Sequence, residues 1–266
     1  MNEATMVGYI GTLESGRTKP ILIEAVRADG AHVQLVAKLT GRQLDKGALT
    51  RELVAANLAR RLGLETPTPY LLHLPDNYRE MSLPSDVEAA IEGGYFPTFA
   101  TEYLPKLIAF VPDRKLHEMH LQKAAEIFTF DALVVNRDRS EHGNVNCLTD
   151  SNRFVLIDHE TALDAQLIGS SIYIEPWKPA ALGPMRSIVK HIFYDSLSGE
   201  GVDFTPIRKK WMQISLADVD AILHDVPVGW RGAERGDAAI RQYLSDLLSN
   251  MSAALDTVEE FLQWSP

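Results

Sequence analysis

The chain of 266 residues contains a single cysteine, Cys147. One thiol cannot form a disulfide within the chain, so we expect no disulfide framework and a reducing, cytoplasmic location. Long hydrophobic runs are also missing. No uncharged apolar stretch approaches the ~18 residues of a membrane-spanning helix, and the amino terminus carries Glu3 and lacks the apolar segment of a secretory signal. The sequence therefore predicts no membrane association.

Basic charge is scarce as well. The 26 Lys and Arg residues are outnumbered by 36 Asp and Glu residues, which gives a formal net charge of −10. No run of Lys and Arg offers a surface for phosphates, so we expect no direct nucleic-acid binding. Hydrophobic residues make up 45% of the chain and charged residues 23%, as in ordinary globular proteins, and the length fits one large domain or two lobes.

Two common catalytic patterns are absent. The histidines form no H-x-x-x-H pair and there is no C-x-x-C pair, so a zinc site is not expected. No G-x-S-x-G segment supports Ser-His-Asp catalysis.

The first hundred residues alternate short β-rich runs with turn signals. Strands are predicted at Met6–Leu13, Ile21–Val26, His32–Leu39, Tyr70–Leu74 and Phe96–Leu104. Asp29-Gly30 predicts a hairpin turn between the second and third strands, because glycine tolerates the positive φ that such turns need. One amphipathic helix is predicted at Ala48–Leu62 with Gly63 as its C-cap. The order is three strands, one helix and two strands.

From Lys115 onwards the apolar spacing becomes helical, except at Val145–Asp158, which predicts two short strands around a turn. The composition changes between residues 105 and 114. We therefore predict an α+β protein with an antiparallel sheet and one helix in an N-lobe, residues 1–105, and a mostly helical C-lobe, residues 106–266.

Short polar residues concentrate at two places in the second half. Asp138 follows a predicted helix, Asn144 lies six residues further on, and Asp158 ends the second strand of the hairpin. Carboxylate and amide oxygens suit Mg²⁺ that carries nucleotide phosphates. In phosphoryl transfer one Asp orients the acceptor hydroxyl while an Asn and a second Asp hold the metal. Each residue alone could instead be a loop cap or turn former, but their combined spacing favours a metal site.

A second group lies in the N-terminal half. Lys38 interrupts an apolar strand, where a charge needs an anionic partner, and Glu52 in the following helix could supply it. Such a pair aims an ammonium group at nucleotide phosphates in kinases. Alternatively, Lys38 points outward from an edge strand.

The segment 11–20 joins the first two strands and contains Ser15 and Gly16. Its backbone N–H groups could fold over phosphates, although it matches no established glycine-rich pattern. A surface hairpin turn is the alternative, and Glu14 would repel phosphate.

Taken in order, these motifs resemble those of the short, single-module HipA-like kinases. The resemblance covers nearly the whole chain and is carried by Lys38 with the downstream ELVAANLARRLGLETPTP, by FATEYLP, by DALVVNRDRSEHGNVN and by FVLIDHE. It implies a bilobal, protein-kinase-like fold, ATP with Mg²⁺ as cofactors, and transfer of the γ-phosphoryl group to a hydroxyl.

The resemblance also implies roles for the nucleotide-binding residues. Lys38 matches the phosphate-contacting lysine and Glu52 its helix partner. The hinge that meets adenine lies at residues 100–104 and includes Glu102, Tyr103 and Leu104. The phosphate loop includes Ser15 and Gly16, and Ser15 or Thr12 matches the self-phosphorylated residue of toxin members of the family.

For the chemistry itself, Asp138 matches the catalytic aspartate, and Asn144 and Asp158 match the metal-binding pair. The gap between Asp138 and Asn144 is one residue longer than in related loops, so Asn146 is the alternative ligand. No A-P-E motif follows Asp158, which argues against regulation of the eukaryotic type.

The leading hypothesis is a Ser/Thr protein kinase of the HipA-like class. The resemblance further implies a toxin-type role and a small helix-turn-helix, antitoxin-like partner. The alternatives are a small-molecule phosphotransferase of the sugar or aminoglycoside type, and a catalytically silent nucleotide-binding module.

Overall fold

The structure is a computed structural model that describes residues 1–13, 19–40, 45–112, 116–150, 152–165 and 173–263. The phosphate-loop residues Ser15 and Gly16 lie outside the described residues.

The N-terminal part is a closed β-barrel. Its strands are β1 (Asn2–Thr12), β2 (Ile21–Arg27), β3 (His32–Ala37), β4 (Pro69–His73) and β5 (Thr98–Glu102). They pair in the order β1-β2-β3-β5-β4, and β1 closes the barrel by pairing in parallel with β4. The sequence predicts an antiparallel sheet, and the parallel pairing of β1 with β4 departs from that prediction. The closing residues Asn2 to Thr5 pair with Tyr70 to His73, and they precede the predicted start of β1 because they carry no apolar run.

The barrel has its own apolar core. Ile21, Ile23 and Ala25 of β2 alternate inward and are fully buried, as are Leu35 and Ala37 of β3. This alternation is the period-two pattern that a half-buried strand requires.

The turn between β2 and β3 forms as predicted. Gly30 has a φ of 81°, and its N–H donates to the Arg27 carbonyl at 2.9 Å.

The C-terminal part combines a small sheet with helices. The sheet has the order β6-β7-β8, with β6 (Ile108–Ala109), β7 (Cys147–Thr149) and β8 (Phe154–Leu156). The helices of this part are α3 (Glu118–Leu133), α4 (Gly183–Arg186), α5 (Tyr194–Leu197), α6 (Thr205–Trp211), α7 (Leu216–His224), α8 (Asp237–Ser249) and α9 (Met251–Gln263). The predicted hairpin corresponds to β7 and β8. In the part of the chain that the structure describes, none of the helices is both long and apolar enough to cross a bilayer.

Helix α1 (Lys46–Arg61) connects the two parts. It begins at Asp45, whose side chain accepts the Ala48 N–H at 2.6 Å, and it contacts β4 and β5 on one side and α7 and α8 on the other. Twelve of its sixteen residues are therefore buried. A Cβ atom at Gly47 would lie 2.8 Å from the Glu234 carbonyl oxygen, so the loop before α8 packs against α1 at a distance that only glycine allows.

A second helix, α2 (Ser85–Glu92), lies between β4 and β5. The prediction of one helix in this part was therefore wrong. Val87, Ala90 and Ile91 pack its inner face onto the barrel core. Four apolar residues within an eight-residue segment give too little periodicity to distinguish a short helix from a loop.

The larger apolar cluster crosses the predicted boundary between residues 105 and 106. It joins Leu53 and Leu58 of α1 to residues of α3, α8 and α9. Trp230 adds a polar link, because its indole N–H donates to the Pro97 carbonyl just before β5 at 2.9 Å. The division into residues 1–105 and 106–266 stays a prediction.

Candidate active site

A cleft of about 460 Å³ opens between the barrel and the β7-β8 hairpin. Small-molecule sites typically measure roughly 300–1,000 Å³. Its lining is apolar over much of its surface, with Val36 and Phe99 from the barrel and Leu156 from β8. Polar groups enter at one end, where Lys38 and Asp158 lie. A flat apolar group and an anionic group could thus occupy the same cleft.

Lys38 lies directly after β3 rather than inside it. Its backbone N–H nevertheless donates to the Phe99 carbonyl at 3.0 Å, which extends the pairing with β5. The side chain points inward and the residue is only 9% exposed, so the outward, edge-strand orientation is wrong. The ammonium group donates to Glu52 at 2.8 Å, to Asp158 at 2.7 Å and to Glu160 at 3.3 Å. Burial alone would lower the pKa of Lys38, but the three carboxylates together raise it.

Glu52 binds more than the lysine. The carboxylate oxygen that accepts from Lys38 also accepts the backbone N–H of His159 at 2.8 Å, and the His159 ring nitrogen Nδ1 lies 3.7 Å from the other oxygen. Burial would raise the pKa of Glu52, but Lys38 and the contacts with His159 lower it below its ordinary value of 4.5. The α1 carboxylate thus fixes both the lysine and the chain that follows Asp158.

Glu160 is a site residue that the sequence analysis missed. It is 8% exposed, and burial raises the pKa of its carboxyl group despite the contact with Lys38. Its backbone carbonyl accepts from Arg51 Nε at 2.7 Å. The only available signal was its position two residues after Asp158, and sequence alone does not show which way a side chain in a turn points.

Asp138 and the two candidate asparagines come together after α3. Asn146 donates to the Asp138 carboxylate at 3.0 Å and to its carbonyl at 3.2 Å, whereas Asn144 donates to the carboxylate at 3.4 Å. Asn144 is exposed and Asn146 is half-buried. Of the two, Asn146 therefore has the closer contacts. Burial raises the pKa of Asp138, and the charge of Asp158 adds to this effect.

Two of these residues have strained backbones. Asn146 has a φ of 47° and Asp158 a φ of 58°, in the left-handed region that non-glycine residues rarely adopt. Such strain persists only where the surrounding structure enforces it, and it concentrates at functional sites. Asn144, Asn146 and Asp158 line the cleft, but Asp138 is not among the described lining residues.

A buried ionic network stabilises the loop that contains Asp138 and Asn146. Arg139 and Asp131 are fully buried, and Arg139 Nε donates to Asp131 at 2.6 Å. The guanidinium group also donates to the Asn146 carbonyl and, at 3.5 Å, to the Ile157 carbonyl. His191 Nε2 lies 2.9 Å from the same aspartate. One arginine thus holds the backbone at or next to both strained residues.

The predicted hinge residues Glu102, Tyr103 and Leu104 all line the cleft. The Glu102 N–H donates to the Thr68 carbonyl at 2.9 Å, and the Tyr103 N–H donates to the Gln34 carbonyl at 2.8 Å. These bonds attach the segment to the barrel. Of these three hinge residues, Leu104 has a backbone N–H that makes no hydrogen bond to another backbone group of the described residues.

The charged end of the cleft has the ligand chemistry of a divalent-cation site. Carboxylate oxygens of Glu52, Asp158 and Glu160 lie within 4.8 Å of one another, and the amides of Asn144 and Asn146 line the same cleft. Hard oxygen donors of this kind fit Mg²⁺.

The fold of the chain is similar to that of a solved kinase structure. It superimposes on the crystal structure of a Helicobacter pylori proinflammatory kinase, CtkA, with a TM-score of 0.50 over 96% of this chain and 95% of that chain. Sequence identity is 11%, so this likeness shows the fold alone. The β-rich N-terminal part and the helical C-terminal part both fit it.

Comparison of the sequence with protein families identifies the kinase family more specifically than the fold does. A family model described as HipA-like kinase matches residues 7–175, which is more than half of the chain. The protein therefore belongs to the HipA-like kinase family, and the resemblance stated from its motifs is confirmed. No curated protein matches the chain.

Proposed function

We propose that this protein is an ATP-dependent, bilobal protein kinase that transfers the γ-phosphoryl group of ATP to a Ser or Thr hydroxyl of a protein. The observation that carries the proposal is the position of Lys38, which contacts Glu52 of α1 and Asp158 at the charged end of the cleft. An ammonium group held by a helix carboxylate beside a metal-binding aspartate is the phosphate-binding arrangement of protein kinases.

In this proposal the purine base lies against the apolar lining and the backbone of Glu102, Tyr103 and Leu104. Lys38 binds the phosphates, and Glu52 keeps its ammonium group in place. Asp158 would exchange its contact with Lys38 for Mg²⁺. The bound cation would neutralise phosphate charge, and Asn146 or Asn144 would supply its amide ligand.

Asp138 orients the acceptor hydroxyl and accepts its proton. The raised pKa of its carboxyl group favours this role, because a general base works best when its pKa approaches the working pH. The hydrogen bonds from the two asparagines hold the carboxylate in a fixed direction.

The test is phosphoryl transfer from labelled ATP with Mg²⁺ to the chain itself and to acceptor proteins. Nucleotide binding is measured separately, from the rise in melting temperature that a ligand of the folded state causes. We expect Asp138→Ala to abolish transfer and to leave nucleotide binding intact. Asp76→Ala is the matched control, since Asp76 is exposed and outside the cleft lining.

The outcomes separate the alternatives. A wild-type chain that neither binds nucleotide nor transfers phosphate would refute the proposal. Transfer that requires a small alcohol and labels no protein would indicate a small-molecule phosphotransferase. Nucleotide stabilisation without transfer would indicate a silent binding module.

The family resemblance extends the proposal to a toxin-type kinase that a small helix-turn-helix, antitoxin-like protein holds in check. A neighbouring reading frame that encodes such a protein, together with loss of transfer when that protein is added, would support this extension. Full activity in its presence would contradict it.

A further inference from the structure

The ammonium group of Lys38 directs all three of its N–H donors at carboxylates. It donates to Glu52 at 2.8 Å, to Asp158 at 2.7 Å and to Glu160 at 3.3 Å, and an ammonium group has no fourth donor. The proposed function requires the same group to bind nucleotide phosphates. At least one carboxylate must therefore leave Lys38 before a phosphate oxygen can take its place.

The three carboxylates differ in how freely they can leave. Glu52 is 3% exposed, belongs to a helix that is packed on both sides, and also accepts the backbone N–H of His159. Asp158 leaves Lys38 for Mg²⁺ in the proposed function, and its side chain is 23% exposed. The backbone of Glu160 is held in place, because Arg51 Nε donates to its carbonyl at 2.7 Å, so only its side chain is able to turn. Glu160 has no part in the proposed nucleotide binding, although it contacts the same ammonium group.

The charge at this end of the cleft is unsuited to phosphate alone. Within this group of four side chains, three carboxylates and one ammonium group leave an excess of two negative charges. The positive charge of Arg51 is shared, since Asp164 and Asp45 act on the pKa of Arg51 more strongly than Glu160 does. Like charges repel strongly in a partly buried cleft, so phosphate oxygens would be repelled where they need Lys38. A divalent cation has the charge that offsets this excess.

We propose that Glu160 makes nucleotide binding depend on a divalent cation, because it occupies a donor of Lys38 and adds negative charge beside the phosphate position. The inference rests on the proposed function and names a specificity-determining residue in it. With a cation on the phosphates, Asp158 and Glu160 turn from Lys38 towards that cation, and Lys38 becomes available to phosphate. Nucleotide without a cation is rejected, because nothing draws the two carboxylates away from Lys38.

The experiment measures the affinity of the full chain for a non-hydrolysable ATP analogue twice, once with excess Mg²⁺ and once with EDTA. Dissociation constants follow from the rise in melting temperature over a range of analogue concentrations, each compared with the same buffer without analogue. The ratio of the two constants is the metal preference of the chain. Glu160→Gln keeps the shape of the side chain and removes its charge, and we expect it to lower this preference by about tenfold or more. The reason is that metal-free nucleotide carries two more negative charges than its Mg²⁺ complex, so it gains more from the loss of a nearby carboxylate.

Two further variants separate charge from shape. Glu160→Ala removes the same charge with a smaller side chain and should lower the preference as Glu160→Gln does, so the result does not depend on the folding of one variant. Glu160→Asp keeps the charge and should keep most of the preference. Glu260→Gln makes the same substitution on the exposed surface of α9 and should leave the preference at the wild-type value.

The proposal is overturned if the wild type binds the analogue equally well with Mg²⁺ and with EDTA, or if Glu160→Gln and Glu160→Ala keep the wild-type preference. Equal losses in all three Glu160 variants would overturn it too, since charge would then not be the cause. Each of these outcomes still includes nucleotide binding and leaves the proposed kinase activity standing. A wild type that binds no analogue in either buffer refutes the proposed function itself, and this inference with it.

Discussion

Replacing Lys38 with methionine would remove the one positive charge that three carboxylates share. Methionine preserves most of the buried side-chain volume, so the change is mainly electrostatic. The oxygens of Glu52, Asp158 and Glu160 would remain within 4.8 Å of one another, with no cation between them. We therefore expect Lys38→Met to fold with a large loss of stability.

The size of the stability loss follows from the burial of the ion pairs that Lys38 makes. Removing one partner of a buried ion pair costs about 3–5 kcal/mol, and 1 kcal/mol corresponds to about 2–4 °C of melting temperature in a chain of roughly this length. A fall of roughly 6–20 °C is expected. We expect a fall in melting temperature in the lower half of this interval, because the side chain of Asp158 is 23% exposed and can turn towards water.

The pH dependence has a defined sign. In the wild type the folded-state pKa of Glu52 lies below its ordinary value of 4.5. Its contribution to stability is therefore complete above about pH 4.5 and is lost as the pH falls through the folded-state value. Without Lys38, burial and like charge raise the carboxyl pKa values in the folded variant, so a lower pH favours folding. The gap in melting temperature between wild type and variant should narrow between pH 8 and pH 5.

Thermal unfolding with and without millimolar Mg²⁺ completes the assay. The cation should stabilise Lys38→Met more than the wild type, because it replaces the missing charge among the carboxylates. Lys178→Met is the control: Lys178 forms an exposed pair with Glu175, and such pairs contribute about 0–1 kcal/mol. A gap that is independent of both pH and Mg²⁺ would refute the electrostatic reasoning.

Three further changes test the surrounding structure. Asn146→Ala should raise the Mg²⁺ concentration needed for half-maximal transfer more than Asn144→Ala does, since Asn146 makes the closer contacts; the reverse order would assign the ligand to Asn144. Arg139→Met leaves Asp131 buried without its cationic partner, with His191 and Asn136 as its remaining hydrogen-bond partners. Urea unfolding should therefore show a loss of about 3–5 kcal/mol, and a loss below about 1 kcal/mol would contradict a buried ion pair. Trp230→Phe removes the donor to the Pro97 carbonyl and should lower the free energy of unfolding by about 1–3 kcal/mol; unchanged stability would show that this carbonyl finds another donor.

Local patterns predicted the elements that carry the site. The five barrel strands, α1 and the β7-β8 hairpin follow from alternation, helical spacing and turn residues such as Gly30. Asp138 and Asp158 were identified by their places relative to those elements. Their proximity to Lys38 depended on a family resemblance, because spacing along the chain does not show which segments meet.

The features that the sequence analysis missed depend on contacts between residues far apart in the chain. The parallel β1-β4 seam joins residues far apart in the chain, and α2 is too short for a periodic signal. Arg139 and Glu160 are both buried, yet sequence alone does not distinguish a buried charge from a solvated one. Burial follows from the partners Asp131 and Lys38, which only the fold brings within reach.

The packing of α1 determines how this kinase fold can be controlled. Glu52 is 3% exposed, and its helix contacts the barrel on one side and α7 and α8 on the other. Moving the helix to separate Glu52 from Lys38 would open both apolar interfaces, at about 25 cal/mol for each Å² exposed. The Lys38–Glu52 contact is therefore a constant feature rather than a switch. We expect control of the proposed activity to act on side chains that can turn without moving α1, such as the partly exposed carboxylate of Asp158.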